Sequence, residues 1–192
     1  MERKGETRRR IVETASRRFR GEGVDGVGIA ALMAEAGLTN GAFYAHFDSK
    51  EDLVREAVVD ALITVPEALG LGDDSTPADL RRFIEAYLSA DHRDHVAEGC
   101  AMAALIPDLS RRPFKSRRVF QESGKPMIDR IAAALPEPIA PEDRLLRAFS
   151  IFSLLLGTLQ MARFVSESAF SDAILARGRA EAMRLAGFHS LD

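Results

Sequence analysis

Apolar residues return every three or four positions along almost all of this 192-residue chain, and no strand-like alternation is sustained. That period is one face of an α-helix, whose side chains repeat every 3.6 residues, so the sequence predicts an all-α fold. Ile11, Ala15 and Phe19 open the pattern with arginines on the other faces, and Gly21 and Gly23 end it. A short helix over about 29–36 buries Leu32 and Met33. Gly37 stops it, because the residue just past a helix often takes the left-handed conformation that glycine adopts freely. Thr39 is placed to cap a third short helix reaching Ala45, with Phe43 and Phe47 one turn apart. Ser49-Lys50-Glu51-Asp52 has the form of a capping box opening a long fourth helix.

Pro66 and the stretch 70–75 predict the first break, and Thr76-Pro77-Ala78-Asp79 starts the next helix with a cap, a first-position proline and an acid. Phe83, Ile84, Tyr87 and Leu88 form its apolar side. A helix follows around Cys100 to Leu109, then one from about Phe114 to Leu135 that Pro126 should kink or split. Pro136, Pro138 and Pro141 mark a linker before a helix running to Val165, and Ser171 is placed to cap the last. The expected organisation is a three-helix helix-turn-helix domain over residues 1–48, followed by a larger helical ligand-binding and dimerisation domain over 49–192.

Composition excludes several classes. The N-terminus lacks the basic, apolar and small-residue sequence of a signal peptide. The longest apolar run, Phe149 to Val165, is interrupted by Ser150, Ser153, Thr158, Gln160 and Arg163, which argues against a membrane span. One cysteine, Cys100, forbids an intrachain disulfide and suits the cytoplasm. The net charge of −3 hides an asymmetry: Arg3, Lys4, Arg8, Arg9, Arg10, Arg17, Arg18 and Arg20 face only Glu2, Glu6 and Glu13 in the first twenty residues. A basic end on an acidic chain fits a polyanionic partner.

Two short helices joined by a glycine turn are the parts of a helix-turn-helix. Here the turn is Ala36-Gly37-Leu38-Thr39, and the following helix is Asn40-Gly41-Ala42-Phe43-Tyr44-Ala45-His46. Gly41 and Ala42 are small enough to let backbone approach DNA. Asn40 stands near the N-terminal end, where base edges are read. Tyr44 and His46 carry donors for phosphates, and Lys50 adds a charge at the start of the next helix.

The run from Ala36 to Leu53 resembles the signature of the TetR family of regulators, with the spacing of Gly37, Gly41, Tyr44, Phe47 and Lys50 intact, and Thr7 to Phe19 resembles that family's first helix. The resemblance implies a homodimer of helical subunits that binds double-stranded operator DNA and a small organic effector. It implies phosphate contacts from Tyr44, His46 and Lys50 and base reading near Asn40, with Thr39 and Gly41 in the same interface. In Val27-Gly28-Ile29-Ala30 the sequence departs from the hydroxyl and basic residues common at the start of the family's second helix, so readout leans on the third helix and the basic N-terminus. The expected function is repression relieved by the effector, with activation through the same domain as the alternative.

No H-E-x-x-H, G-x-S-x-G or paired-cysteine motif is present, which argues against an enzyme, and no cofactor is expected. His92 and His95 are three residues apart, but a polar helix end is the simpler reading than a metal site. Cys100 among alanines reads as a small buried hydrophobe. Phe83, Tyr87, Cys100, Met102, Phe120, Phe149 and Gln160 are candidates to line a mostly apolar effector cavity.

Overall fold

A computed structural model describes residues 2–136 and 139–188. Among them every regular element is helical: α1 (Glu2–Glu22), α2 (Ile29–Glu35), a 3₁₀ helix (Asn40–Ala45), α3 (Lys50–Ala68), α4 (Pro77–Tyr87), α5 (Ala90–Asp94), α6 (Ala101–Ser110), α7 (Phe114–Ala133), α8 (Pro141–Phe164) and α9 (Ser168–Leu185). The chain forms two compact units, Met1–Thr64 with Val96–Ser123, and Val65–His95 with Gly124–Asp192. The division passes through α3 and α7, so neither unit is one continuous stretch of chain.

The first unit is built on the stripe of α1. Ile11, Ala15 and Phe19 are fully buried together with Leu32 and Met33 of α2, Phe43 of the 3₁₀ helix and Leu53 and Val54 of α3. The chain leaves α1 at Gly23 (φ 76°) and α2 at Gly37 (φ 68°). At Gly37 the two orphan carbonyls are satisfied in the paired manner of a Schellman ending: Gly37 N–H bonds Ala34 at 3.0 Å and Leu38 N–H bonds Met33 at 2.8 Å.

In the second unit α8 and α9 run antiparallel, the Ser171 hydroxyl donating to the Ala162 carbonyl at 2.6 Å. Their crossing is tight at Gly178, where an added Cβ would lie 2.8 Å from Thr158 Oγ1 and 3.0 Å from its Cβ. Arg163 donates to the His92 and Arg93 carbonyls (2.7 and 3.1 Å), and Arg93 to Ser171 and Asp172 (2.9 and 2.6 Å), tying α5 to this pair. Despite the interruptions in its sequence, Glu142–Phe164 is long and apolar enough to cross a membrane by length and composition alone. Here it packs along α9 and buries Ala148, Ile151, Phe152, Leu155, Leu159 and Ala162.

Several local expectations are corrected. Pro66 lies inside α3 rather than at a break, because the helix needs only one more turn before Gly70 (φ 84°) closes it with Gly70→Glu67 and Leu71→Pro66 bonds. Pro126 does not split α7. It and Glu122, whose carbonyl it leaves free, are exposed, so water can take that bond. The last helix starts at Ser168, and Ser171 is a buried cross-link to α8 rather than a cap. Thr76 and Asp79 do form a complete capping box. At Ser49 only half of one forms: its hydroxyl accepts the Asp52 N–H at 3.1 Å while the Asp52 carboxylate is taken by Arg55.

Candidate nucleic-acid interface

The segment after Gly37 is a 3₁₀ helix, tighter than the expected α-turn, and Thr39 begins it with extended backbone (φ −78°, ψ 153°) but no side-chain cap. Its hydroxyl is therefore not committed to the helix end, and Thr39 is exposed. Two phenylalanines hold the segment down. Phe43 and Phe47 are buried and stacked with centroids 5.5 Å apart, and the Tyr44 ring meets Phe43 edge-on at 5.2 Å. With three residues per turn, positions 41 and 44 line one face. Gly41 and Tyr44 are both exposed there, Tyr44 at 67%. A Cβ on Gly41 would meet nothing within 4 Å, so the missing side chain serves no packing need of the protein and only opens the outward face. Asn40, Gly41, Tyr44 and Thr39 thus lie together on the surface of one short, firmly anchored element.

His46 and Lys50 complete the group and differ from it in burial. Both are half-buried. His46 Nδ1 is buried without a hydrogen-bond partner. Burial, then the charges of Lys4 and Arg8, push the imidazole below its ordinary pKa, so it is held neutral. Its carbonyl, at the end of the 3₁₀ helix, accepts a bond from Arg8. Lys50 is the first residue of α3 and lies in the field of Asp25, whose carboxyl is held below its usual range by the Arg112 hydrogen bond first and by Lys50 among the weaker influences.

The basic N-terminus is less uniform than its sequence. Arg8 is turned inward, bonding the Glu56 carboxylate and lying 4.3 Å from the Phe47 centroid. Arg18 pairs with Glu22 at 2.7 Å and Glu35 at 3.6 Å. Arg20 is buried, bonding Ser16 at 2.8 Å and the Ala97 carbonyl at 2.5 Å. Lys4, Arg9, Arg10 and Arg17 stay exposed. Sequence reasoning missed Arg112 and Ser116, which pack at the start of α3 beside Lys50: Arg112 reaches Asp25 at 2.7 Å, and the Ser116 hydroxyl donates to Glu51 at 2.5 Å. Some sixty residues separate them from Lys50, and no local pattern announces the contact.

The cavity candidates fall in both units. Cys100, at the N-cap of α6, and Phe120 are buried in the first, where Met102 is half-buried. Phe83 and Tyr87 are fully buried in the second, their rings 5.6 Å apart, with Gln160 half-buried. Phe149 is 51% exposed on the outer side of α8. His92 and His95 are committed separately, His92 Nδ1 to the Tyr87 carbonyl at 2.7 Å and His95 Nδ1 to the Asp91 carbonyl at 2.9 Å. Among the described residues no three His, Cys, Asp or Glu side chains are grouped to hold a metal.

Two short helices joined by a glycine turn, set in an all-helical unit, have the make-up of a helix-turn-helix DNA-binding domain. Residues 11–57 match the model of bacterial regulatory proteins of the tetR family. Over 70 residues the chain is 39% identical to the HTH-type transcriptional regulator TtgR of Pseudomonas putida, and equally to the probable regulator ArpR of that species. Those matches cover 36% of this chain and span about a third of the relatives' length (33%). Solved structures extend the likeness of fold to the whole molecule. A TetR-family regulator from Cytophaga hutchinsonii superposes with a TM-score of 0.77 at 19% identity, covering 100% of this chain and 98% of that one. The reduced form of E. coli NemR gives 0.75 at 19%, covering 93% and 96%. Residues 11–57 thus match the tetR family's model, and the whole chain shares the fold of these solved regulators.

Proposed function

We propose that this protein is a homodimeric transcriptional repressor that leaves its operator when a small organic effector binds. One observation carries the DNA assignment: Thr39, Asn40, Gly41 and Tyr44 lie exposed on an element pinned by buried Phe43 and Phe47, with Lys50 at the next helix start. Asn40 reads a base edge, its amide being matched to adenine in the major groove. Tyr44 and Lys50 hold phosphates, which add affinity without reading sequence, and His46 lies at the edge of the same contact.

The second copy docks on the outer face of α8. Leu146 (67% exposed), Phe149, Met161 (53%) and Phe164 (81%) line that face, with Ser153 and Gly157 between them. An isologous interface on α8 and α9 removes this apolar stripe from water and sets two recognition elements for a near-palindromic site. Effector binding among the apolar side chains of the second unit that include Phe83, Tyr87 and Gln160 shifts the dimer to a spacing that no longer fits two grooves. The test is selection of bound duplexes from a random pool, with sedimentation of the free protein. A recurrent palindrome and a dimer at micromolar concentration are expected. No enriched sequence, or a monomer, refutes the reading. Release of the selected duplex in a screen of uncharged organic compounds, with a raised melting temperature, then tests the effector; release by metal ions or thiol oxidants alone refutes that part.

A further inference from the structure

Positive charge in the first unit is not confined to α1 and Lys50. Residues 111–118 read Arg-Arg-Pro-Phe-Lys-Ser-Arg-Arg, five cations in eight residues without an acid, in a protein of net charge −3. Two members of this segment are tethers. Arg112, 17% exposed, pairs with Asp25 at 2.7 Å and Glu51 at 3.6 Å, and buried Ser116 donates to Glu51. Glu51 follows Lys50 directly, so the tethers seat the segment beside the residue already assigned to phosphate. The Asp25 carboxyl, in the loop between α1 and α2, takes the Arg112 guanidinium at 2.7 Å and feels Lys50 and Arg111 more weakly, which places these cations near that loop.

The remaining cations face outward. Lys115, Arg117 and Arg118 are exposed, as is Arg111. Lys115 and Arg117 belong to none of the described ion pairs. Arg111 and Arg118 pair only with Asp108 and Glu122 on their own stretch of chain, with 68% and 70% of their side chains exposed. Such surface pairs hold a cation weakly and give it up to a stronger anion. The first turn of α7 has no acidic residue, although a helix start favours acids over cations. The cations at the start of α7 therefore run against its dipole, and only Arg118 among them has an acidic partner on the helix, in an exposed pair with Glu122. The geometry points to a second DNA contact: Arg111, Lys115, Arg117 and Arg118 hold backbone phosphates of the same duplex outside the stretch read by Asn40 and Tyr44. Phosphate is the partner favoured by a segment of five cations seated beside the helix start that carries Lys50, and spaced point charges suit a repeating backbone rather than a base code. Exposed Phe114 (72%), with Arg117 5.8 Å from its ring, holds that guanidinium over the surface.

This inference rests on the operator-binding reading above, and its test separates the two. Binding is measured against salt for two duplexes, one trimmed to the selected site and one extended by about one helical turn (roughly 10 base pairs) at each end. The wild type is expected to show the steeper salt slope on the extended duplex. The Lys115→Gln/Arg117→Gln/Arg118→Gln protein should lose two to three released counterions per subunit there, at about 0.9 per phosphate, and keep its affinity for the trimmed duplex within about twofold. Its melting temperature should match the wild type; if it does not, Lys115→Gln/Arg117→Gln, which breaks no described ion pair, carries the test. An unchanged slope on the extended duplex overturns the proposal, as does an equal loss on both duplexes, the sign of a long-range field without contact. Lys50→Ala should weaken both duplexes alike. A wild type that binds neither refutes the operator reading and this inference with it.

Discussion

Replacing Arg8 by alanine separates a structural arginine from one that meets DNA, although both lie in the same basic run. Arg8 does three things at once: it pairs with Glu56, it donates to the His46 carbonyl, and it lies over Phe47. The ion pair is 39% and 42% exposed, so screening leaves it worth about 0.5 kcal/mol. The carbonyl bond adds about 1 kcal/mol, and the stacking on Phe47 about 0.5 kcal/mol more. The three share one side chain and are not additive, so Arg8→Ala should destabilise the fold by about 1–2 kcal/mol in urea titrations. Loss of the Phe47 and His46 restraint loosens the recognition element, so operator binding should weaken as well. The number of counterions released should stay at the wild-type value, because no phosphate contact has been removed. Arg9→Ala or Arg10→Ala, exposed on the same helix, should leave stability unchanged. A drop of one counterion for Arg8→Ala with unaltered stability would refute this reasoning and put Arg8 on the DNA.

Gly178→Ala should destabilise despite alanine's better helix propensity, because overlap with Thr158 costs about 1–3 kcal/mol against a gain of about 1. In a Thr158→Ala background, where only the Cβ contact at 3.0 Å remains, the cost should shrink, and a cost undiminished there would mean the crossing is not the cause. His92 and His46 are both held below the ordinary imidazole pKa, each chiefly by burial. The unfolded chain therefore binds those protons more readily, so this stability is present above about pH 6.5 and falls as pH drops from there through the depressed folded values. His92→Gln should flatten the dependence of melting temperature on pH in that window, and an unchanged profile would assign the effect elsewhere. Asn40→Ala should cost about 1–3 kcal/mol at one operator position per half-site and relax base preference there; an unchanged selected sequence would reduce Asn40 to a backbone contact.

The fold was legible wherever one local rule was unopposed. Gly37 reads as a stop because positive φ is rare for other residues, and it takes φ 68°. Thr76-Pro77-Ala78-Asp79 reads as a helix start because cap, proline and acid agree, and the full box forms. Each misreading is a local preference overruled by the place where the residue lies. Ser171 has the chemistry of a cap, but burial against α8 gives its hydroxyl the Ala162 carbonyl instead. Pro66 has the chemistry of a breaker, yet it sits where α3 is about to end. α5 is too short for a hydrophobic period, and only the Ser89 hydroxyl on His92 N–H marks its start.

The candidate site divides along the same line. Phe43 and Phe47 at one-turn spacing announce an anchored element, and the small or polar residues before and between them announce its outward face, so the exposure of Asn40, Gly41 and Tyr44 could be read from sequence. The arginines could not be sorted that way. Arg8, Arg9 and Arg10 are consecutive and chemically identical, but successive helical positions are turned by about 100°. One therefore meets Phe47 and Glu56 while its neighbours meet solvent. A count of charges measures the electrostatic field of a segment, whereas which charge touches a phosphate depends on the partner each arginine already has. Arg112 makes the point from the other end of the unit: it lies in a basic segment with no acid in its sequence, and it is the one arginine there that Asp25 and Glu51 withdraw from solvent.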